Sequence, residues 1–241
     1  MKRIISSILL ILLLGVAVIA AIPFLKEKKD EIRYENTFNK IKETSRRRKN
    51  ESKVEELKKK NKDCIGYLEI PDTTISYPIM QTKDNPDFYL NHDFNKEYSF
   101  YGTPYLSAYC DLKQSDNLII YSHNINGKRM FGALEYYLDE EYCKKHKKIY
   151  FTTDKKREYN LFAVMSVNIK EFPFYKFTMA RDEKDFNEFV EQVRKNSLID
   201  IMSGSEYGEQ LIMLVTCDNR RGDDYRIVVV GKLENGAYDN R

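Results

Sequence analysis

Near the C-terminus a single cysteine ends one apolar run and a single arginine begins the next: Leu214-Val215-Thr216-Cys217, then Arg226 ahead of Ile227-Val228-Val229-Val230. A thiol at a strand end is exposed and held in place, and its thiolate is a nucleophile. The guanidinium supplies a positive charge that no ordinary pH removes. If the two runs are adjacent antiparallel strands, both groups lie on the same rim of a sheet. The competing reading makes Cys217 a small buried hydrophobe, the usual fate of a free cysteine.

A thiol nucleophile needs a base, and the chain has only three histidines. His146 sits among Lys144, Lys145, Lys147 and Lys148, which reads as a solvated helix face. His92, in Asn91-His92-Asp93, sits in a turn and reads as a structural polar contact. His123 follows the buried-strand pattern Asn117-Leu118-Ile119-Ile120-Tyr121 and precedes the loop Asn124-Ile125-Asn126-Gly127, so its placement mirrors that of Cys217. A thiolate, an imidazole and a guanidinium suit acyl transfer. The thiolate attacks a carbonyl, the imidazolium lowers the thiol pKa and protonates the leaving amine, and the arginine acts as electrostatic stabiliser or substrate clamp. Metal binding fits poorly, because Cys64, Cys110, Cys143 and Cys217 are scattered and form no Cys-x2-Cys pair. No metal or cofactor is expected. Cys64, Cys110 and Cys143 are left as core residues or disulfide partners.

The elements that must position these groups begin at Cys64, where short apolar runs alternate with Asp, Asn, Gly and Pro turns. Strands are expected at 65–70, 75–80, 103–106, 118–121, 149–152, 159–169, 210–216 and 225–233. Eight short strands of this kind predict a closed barrel or a sandwich. Two helical insertions interrupt them. One covers 130–137 and 140–147; the other covers 182–198, with Phe186, Phe189, Val190 and Val193 on one face.

The chain of 241 residues carries a formal net charge of +3, unevenly spread. Residues 26–62 hold 15 Lys/Arg against 8 Asp/Glu, while residues 63–241 sum to −6. A basic segment beside a mildly acidic domain argues against nucleic-acid binding, where the main body is basic. Residues 26–62 read as a helical stalk packing loosely on the domain, with Arg46-Arg47-Arg48-Lys49 as a solvated charge block. Ahead of it, Ile4 to Leu25 run 22 residues without a charge, long enough for a helix crossing a bilayer. A cleaved signal peptide is the alternative, but Ala17, Ala20 and Ala21 make no Ala-x-Ala site. The expected domains are a tail at 1–3, a membrane anchor at 4–25, the stalk at 26–62 and the catalytic barrel at 63–241. Flanking charge leaves the topology open, since six Lys/Arg follow the span between Lys26 and Lys42 and two precede it.

Together, Leu214-Val215-Thr216-Cys217, Arg226 before Ile-Val-Val-Val, and Tyr121-Ser122-His123-Asn124 resemble the sortases, membrane-anchored cysteine transpeptidases of Gram-positive bacteria. Class B is indicated by Ile70-Pro71-Asp72 through Tyr77-Pro78-Ile79, then Lys83-Asp84-Asn85 and Tyr89-Leu90-Asn91-His92-Asp93, by the N-terminal helical region, and by the helix-bearing insertion before the cysteine strand. The resemblance covers about residues 63–235 with every motif in order.

It implies a mainly β fold: an eight-stranded barrel with N-terminal helices, a helix inserted before the Cys-bearing strand, and one transmembrane helix in front. It implies Cys217 as nucleophile, with His123 and Arg226 completing the site, and Asn85, Leu90 and Tyr175 as substrate contacts. The implied reaction cleaves an Asn-Pro-x-Thr-x-like sorting signal after Thr. The acyl group is held as a thioester and passed to an amine of the cell wall or to a pilin lysine. The implied partners are surface proteins carrying such a C-terminal signal, with the N-terminus inside the cell and the domain outside. Three positions depart from the family pattern: Met213 at a Thr, Val215 where class B often has Ser, and Ser122 at a common Gly. Two alternatives stand beside transfer: a thiol hydrolase releasing to water, and a degraded, non-enzymatic surface barrel.

Overall fold

The computed structural model describes residues 2–46, 50–125, 128–199 and 205–234. Two helices come first, α1 (Lys2–Arg46) and α2 (Asn50–Lys60), followed by β1 (Cys64–Glu69), β2 (Ser76–Met80), β3 (Tyr105–Leu106) and β4 (Asn117–Tyr121). A small hairpin, β5 (Asn124–Ile125) and β6 (Arg129–Met130), leads through a 3-10 helix at Gly132–Leu138 into α3 (Glu140–Lys145). Then come β7 (Lys148–Thr152), β8 (Lys156–Asn168), α4 (Glu183–Lys195), β9 (Leu211–Cys217) and β10 (Tyr225–Leu233).

Eight strands close into a barrel in the order β1-β2-β3-β4-β9-β10-β8-β7, with β7 pairing back onto β1. Every strand expected from the sequence is present, with ends moved by at most three residues. Closure leaves no free sheet edge, which is how short β-branched strands form a stable unit. The apolar runs of β4, β9 and β10 are buried almost throughout, so these three strands form the centre of the wall. β4 and β9 are parallel neighbours, so both point their C-terminal ends at the same rim. β1 carries a register shift between Cys64 and Gly66. A Cβ at Gly66 would lie 2.6 Å from the Phe151 ring and 2.7 Å from the Thr152 carbonyl oxygen, so only glycine fits there.

The insertion between β8 and β9 holds α4. Asp182 caps it by accepting from the Asp185 amide at 2.8 Å. Its buried face is Phe186, Phe189, Val190 and Val193, as expected, and each such side chain contributes roughly 1.5–3 kcal/mol of burial. The first insertion differs from expectation in kind. Its first part is a 3-10 helix rather than α, and Met130 belongs to β6.

The N-terminal helices do not form a loose stalk. Tyr34, Phe38, Ile41, Val54 and Leu57 are buried in the same core cluster as the barrel. Tyr34 bonds Tyr77 through their hydroxyls at 2.9 Å, and Phe38 packs edge-on against Tyr77. Only one stripe of each helix faces the barrel, so few of the residues in this charged segment are apolar. Among the described residues, no helix is long and apolar enough to cross a membrane. The stretch expected to do so, residues 4–25, falls partly on side chains outside those described (4–6 and 8–11). Of the charge block at 46–49, residues 47–49 lie outside the described residues.

Cys64, Cys110 and Cys143 are free, buried thiols rather than disulfide partners. Burial pushes the Cys64 thiol up to about 12 and those of Cys110 and Cys143 up to about 11, so all three stay protonated. His146 is not a plain surface residue. Its ring leans on Tyr142 at 4.1 Å, and its Nδ1 lies 3.2 Å from the Pro71 carbonyl oxygen.

Candidate active site

Cys217 is the last residue of β9 and Arg226 the second of β10, and the antiparallel register pairs them directly. Cys217 is partly exposed, unlike the other three thiols. The Arg226 guanidinium donates through Nη1 to the Asp223 and Tyr225 carbonyls at 2.6 and 2.8 Å. Among the described residues no partner uses its Nε or Nη2, and no carboxylate pairs with it, so its charge and two donor nitrogens remain available over the rim.

His123 reaches the same place from the other side. Tyr121 stands opposite Val215 in the parallel β4–β9 pairing, and His123 lies two residues past the end of β4 as Cys217 lies two residues past Val215. The strands stay locked past the ladder. The Ser122 amide donates to the Val215 carbonyl at 3.1 Å, and Thr216 Oγ1 donates to the Ser122 carbonyl at 2.8 Å. Asn124 Nδ2 donates to the Cys217 carbonyl at 2.9 Å and also to Glu135 at 2.7 Å. The Leu90 carbonyl lies 2.8 Å from His123 Nε2. A carbonyl only accepts, so Nε2 carries a proton and Nδ1 is left for proton exchange.

Next in the chain, Asp218 is fully buried. Burial pushes its carboxyl up, but Arg220 through two bonds at 2.9 Å and Ser166 through one at 2.6 Å outweigh that and hold it below its ordinary value. This ionised carboxylate fastens the β9–β10 turn to β8.

Beside the rim lies a groove of about 610 Å³, lined by Pro86, Asp87, Tyr105, Tyr109, Tyr121 and Tyr175 among others. Tyr105 donates to Asp87 at 3.1 Å, and its ring packs against Tyr121 at 5.7 Å. Burial pushes both hydroxyls well above the ordinary tyrosine value, so they remain neutral. The insertion that carries Tyr175 is tied to β4, because Asn117 donates to the Phe177 carbonyl at 2.8 Å and Asp116 accepts from the Ala180 amide at 2.7 Å.

The sequence-derived trio of Cys217, His123 and Arg226 is thus gathered on one rim. Of the expected substrate contacts, Tyr175 lines the groove, and exposed Asn85 immediately precedes its wall at Pro86 and Asp87. Leu90 differs: its backbone carbonyl meets His123, and it is not part of the groove wall. His92 is structural as expected, stacked on Phe88 at 3.9 Å with Nδ1 on the Phe88 carbonyl. Asn124 and Asp218 were not singled out from sequence. Their positions flanking the trio were the available signal, but their roles depend on Glu135 and Ser166 arriving from elsewhere. Met213 and Val215 are buried in the core, so apolar packing fills the places where the family pattern has hydroxyls. Ser122 Oγ is buried with no hydrogen-bond partner among the described residues.

A closed barrel with a thiol, an imidazole and a guanidinium at adjoining strand ends is the architecture of a protein suited to acyl transfer through a thioester. The Sortase domain family model matches residues 68–234. Sortase B of Listeria monocytogenes is 33% identical over 189 residues, covering 75% of this chain and 73% of that protein. Sortase B of Staphylococcus aureus is 27% identical, covering 94% and 93%. A solved Staphylococcus aureus sortase B–substrate complex superposes with a TM-score of 0.76 at 27% identity, covering 87% of this chain and 98% of that one. The chain belongs to the sortase family, class B, and is a cysteine transpeptidase.

Proposed function

We propose that this enzyme is held at the outer face of the cell membrane, cleaves an Asn-Pro-x-Thr-x-like sorting signal after Thr, and transfers the protein to a cell-wall amine or a pilin lysine. The observation that carries the chemistry is the pairing of Cys217 with Arg226 across the ladder, with His123 two residues past the end of the neighbouring β4 and Asn124 after it bonded to the Cys217 carbonyl. The Cys217 thiolate attacks the Thr carbonyl, and Arg226 stabilises the oxyanion that forms. Collapse breaks the C–N bond, and the His123 imidazolium gives its proton to the departing amine. The acceptor amine then loses a proton to His123 and attacks the thioester. The C–S bond breaks and the thiolate is regenerated.

Substrate is seated in the tyrosine-lined groove, with Tyr175 in its wall, Asn85 just ahead of that wall and Leu90 acting through the backbone carbonyl that meets His123. Membrane attachment by residues 4–25 is supported by the apolar side chains exposed on α1 between Leu12 and Leu25. The N-terminus then lies inside and the barrel outside. Incubating the full chain with an Asn-Pro-x-Thr-x peptide, with and without an amine acceptor, tests the reading. Peptide–acceptor conjugate is the expected product. Cleavage that ignores the acceptor would instead make the enzyme a hydrolase.

A further inference from the structure

We propose that α1 is part of the active-site scaffold, and that Arg33 is a positioning residue that keeps His123 in its catalytic pose. Arg33 lies 90 positions before the histidine and touches neither substrate groove nor thiol. It instead gathers the loop at 93–101, which reaches from α1 to the imidazole. Its Nη1 pairs with Glu97 at 2.7 Å, its Nη2 donates to the Tyr98 carbonyl, and its Nε lies 3.4 Å from the buried Asp93 carboxylate. Asp30, one turn back on α1, accepts from Nη2 at 2.7 Å and fixes the side chain. Asp93 in turn accepts from the amides of Asn95 and Glu97 at 2.9 and 3.0 Å, so the same carboxylate shapes the loop.

Two residues beyond Tyr98, Phe100 lays its ring parallel to that of His123, with centroids 6.4 Å apart and planes 7° apart. The next residue, Tyr101, stacks on Tyr34 of α1 at 4.6 Å. The helix also grips the segment that follows the histidine. Arg129 of β6 pairs with Glu31 of α1 at 2.5 Å, and β6 returns the chain to Phe131, whose amide donates to the His123 carbonyl at 3.0 Å. α1 therefore clamps His123 from both sides, and Arg33 is the residue that ties it to the Phe100 side. Releasing that loop lets the imidazole drift, and a misplacement of about 1 Å costs up to ~100-fold in rate.

This rests on His123 serving Cys217, so the experiment carries a readout that needs no substrate. In the full chain, Arg33→Ala, Arg33→Lys, Phe100→Ala and the double variant Arg33→Ala/Phe100→Ala are compared with the parent. Lys144→Ala, which removes a surface charge from α3, serves as control. The measurements are kcat and KM with an Asn-Pro-x-Thr-x peptide, corrected for the reactive fraction by thiol titration, and the pH profile of Cys217 alkylation. The expected result is a fall of about ten-fold in kcat for Arg33→Ala with KM little changed, since only the catalytic geometry is disturbed. The alkylation profile should shift for Arg33→Ala and recover in part for Arg33→Lys. Adding Phe100→Ala should cost little more than either single change, because both act through one loop. The proposal is overturned if kcat per reactive thiol and the alkylation profile of Arg33→Ala match the parent, or if the two losses simply add. A parent profile that ignores His123→Ala would instead sink the role of His123 itself.

Discussion

Cys217 and Arg226 stand directly opposite one another in the β9–β10 ladder, the last residue of one strand against the second of the next. That register makes their relation a property of the sheet rather than of a flexible loop. The backbone carbonyls of Asp223 and Tyr225 hold the guanidinium close to its own strand. Arg226→Ala should leave the melting temperature near that of the parent and lower kcat/KM by about 100-fold, the scale of losing one oxyanion donor. Arg226→Lys should recover only part, because an ammonium cannot bond both carbonyls and still present a fork to substrate. Steady-state kinetics beside a thermal melt checks both.

Asn124 ties the end of β9 to Glu135 through one amide group. Asn124→Ala removes two hydrogen bonds at a partly exposed site, so stability should fall by about 1–2 kcal/mol. Activity should fall further than that if Cys217 is the nucleophile of the proposed mechanism, because the carbonyl released is its own. Denaturant titration and kcat on the same preparation separate the two effects.

Lys53 of α2 is buried, with its ammonium 2.8 Å from the centre of the Tyr67 ring. Burial lowers its pKa to about 7. A lysine held below its unfolded value of about 10.4 binds fewer protons when folded than when unfolded, so stability rises with pH between those two values. Lys53→Met should therefore raise the melting temperature at pH 7, and most of that gain should be lost by about pH 10, as the unfolded lysine also begins to lose its charge. Melting curves at the two pH values give the answer; a gain that persists unchanged at the higher pH would remove the charge from the explanation.

Tyr175 lines the groove beside the rim, and among the described residues no hydrogen bond or ring contact joins it to the trio. Tyr175→Ala should raise KM several-fold and leave Cys217 alkylation unchanged, the pattern of lost binding rather than lost chemistry. A fall in kcat at constant KM would place Tyr175 in the catalytic step instead.

The barrel and the trio were legible because the signals were local. β9 and β10 read as strands from unbroken apolar runs, and Cys217 and His123 stood out as reactive side chains where such runs end. The docking of α1 was not legible. Tyr34 and Phe38 are two aromatic residues in a charged helix, and nothing local shows that Tyr77 and Tyr101 wait to receive them. The same holds for Leu90, whose contribution is a backbone carbonyl that any residue would offer. Asp218 carried no signal in the sequence, because its partner Ser166 meets it only once β8 packs beside the β9–β10 turn.

The most direct test of acyl transfer through Cys217 is intact mass spectrometry of the full chain, quenched at short times after mixing with an Asn-Pro-x-Thr-x peptide. The expected species is the enzyme carrying the peptide through its Thr carbonyl, mapped to the fragment holding Cys217 and discharged when an amine is added. A Cys217→Ala enzyme that still cleaves the peptide at the parent's rate would contradict it.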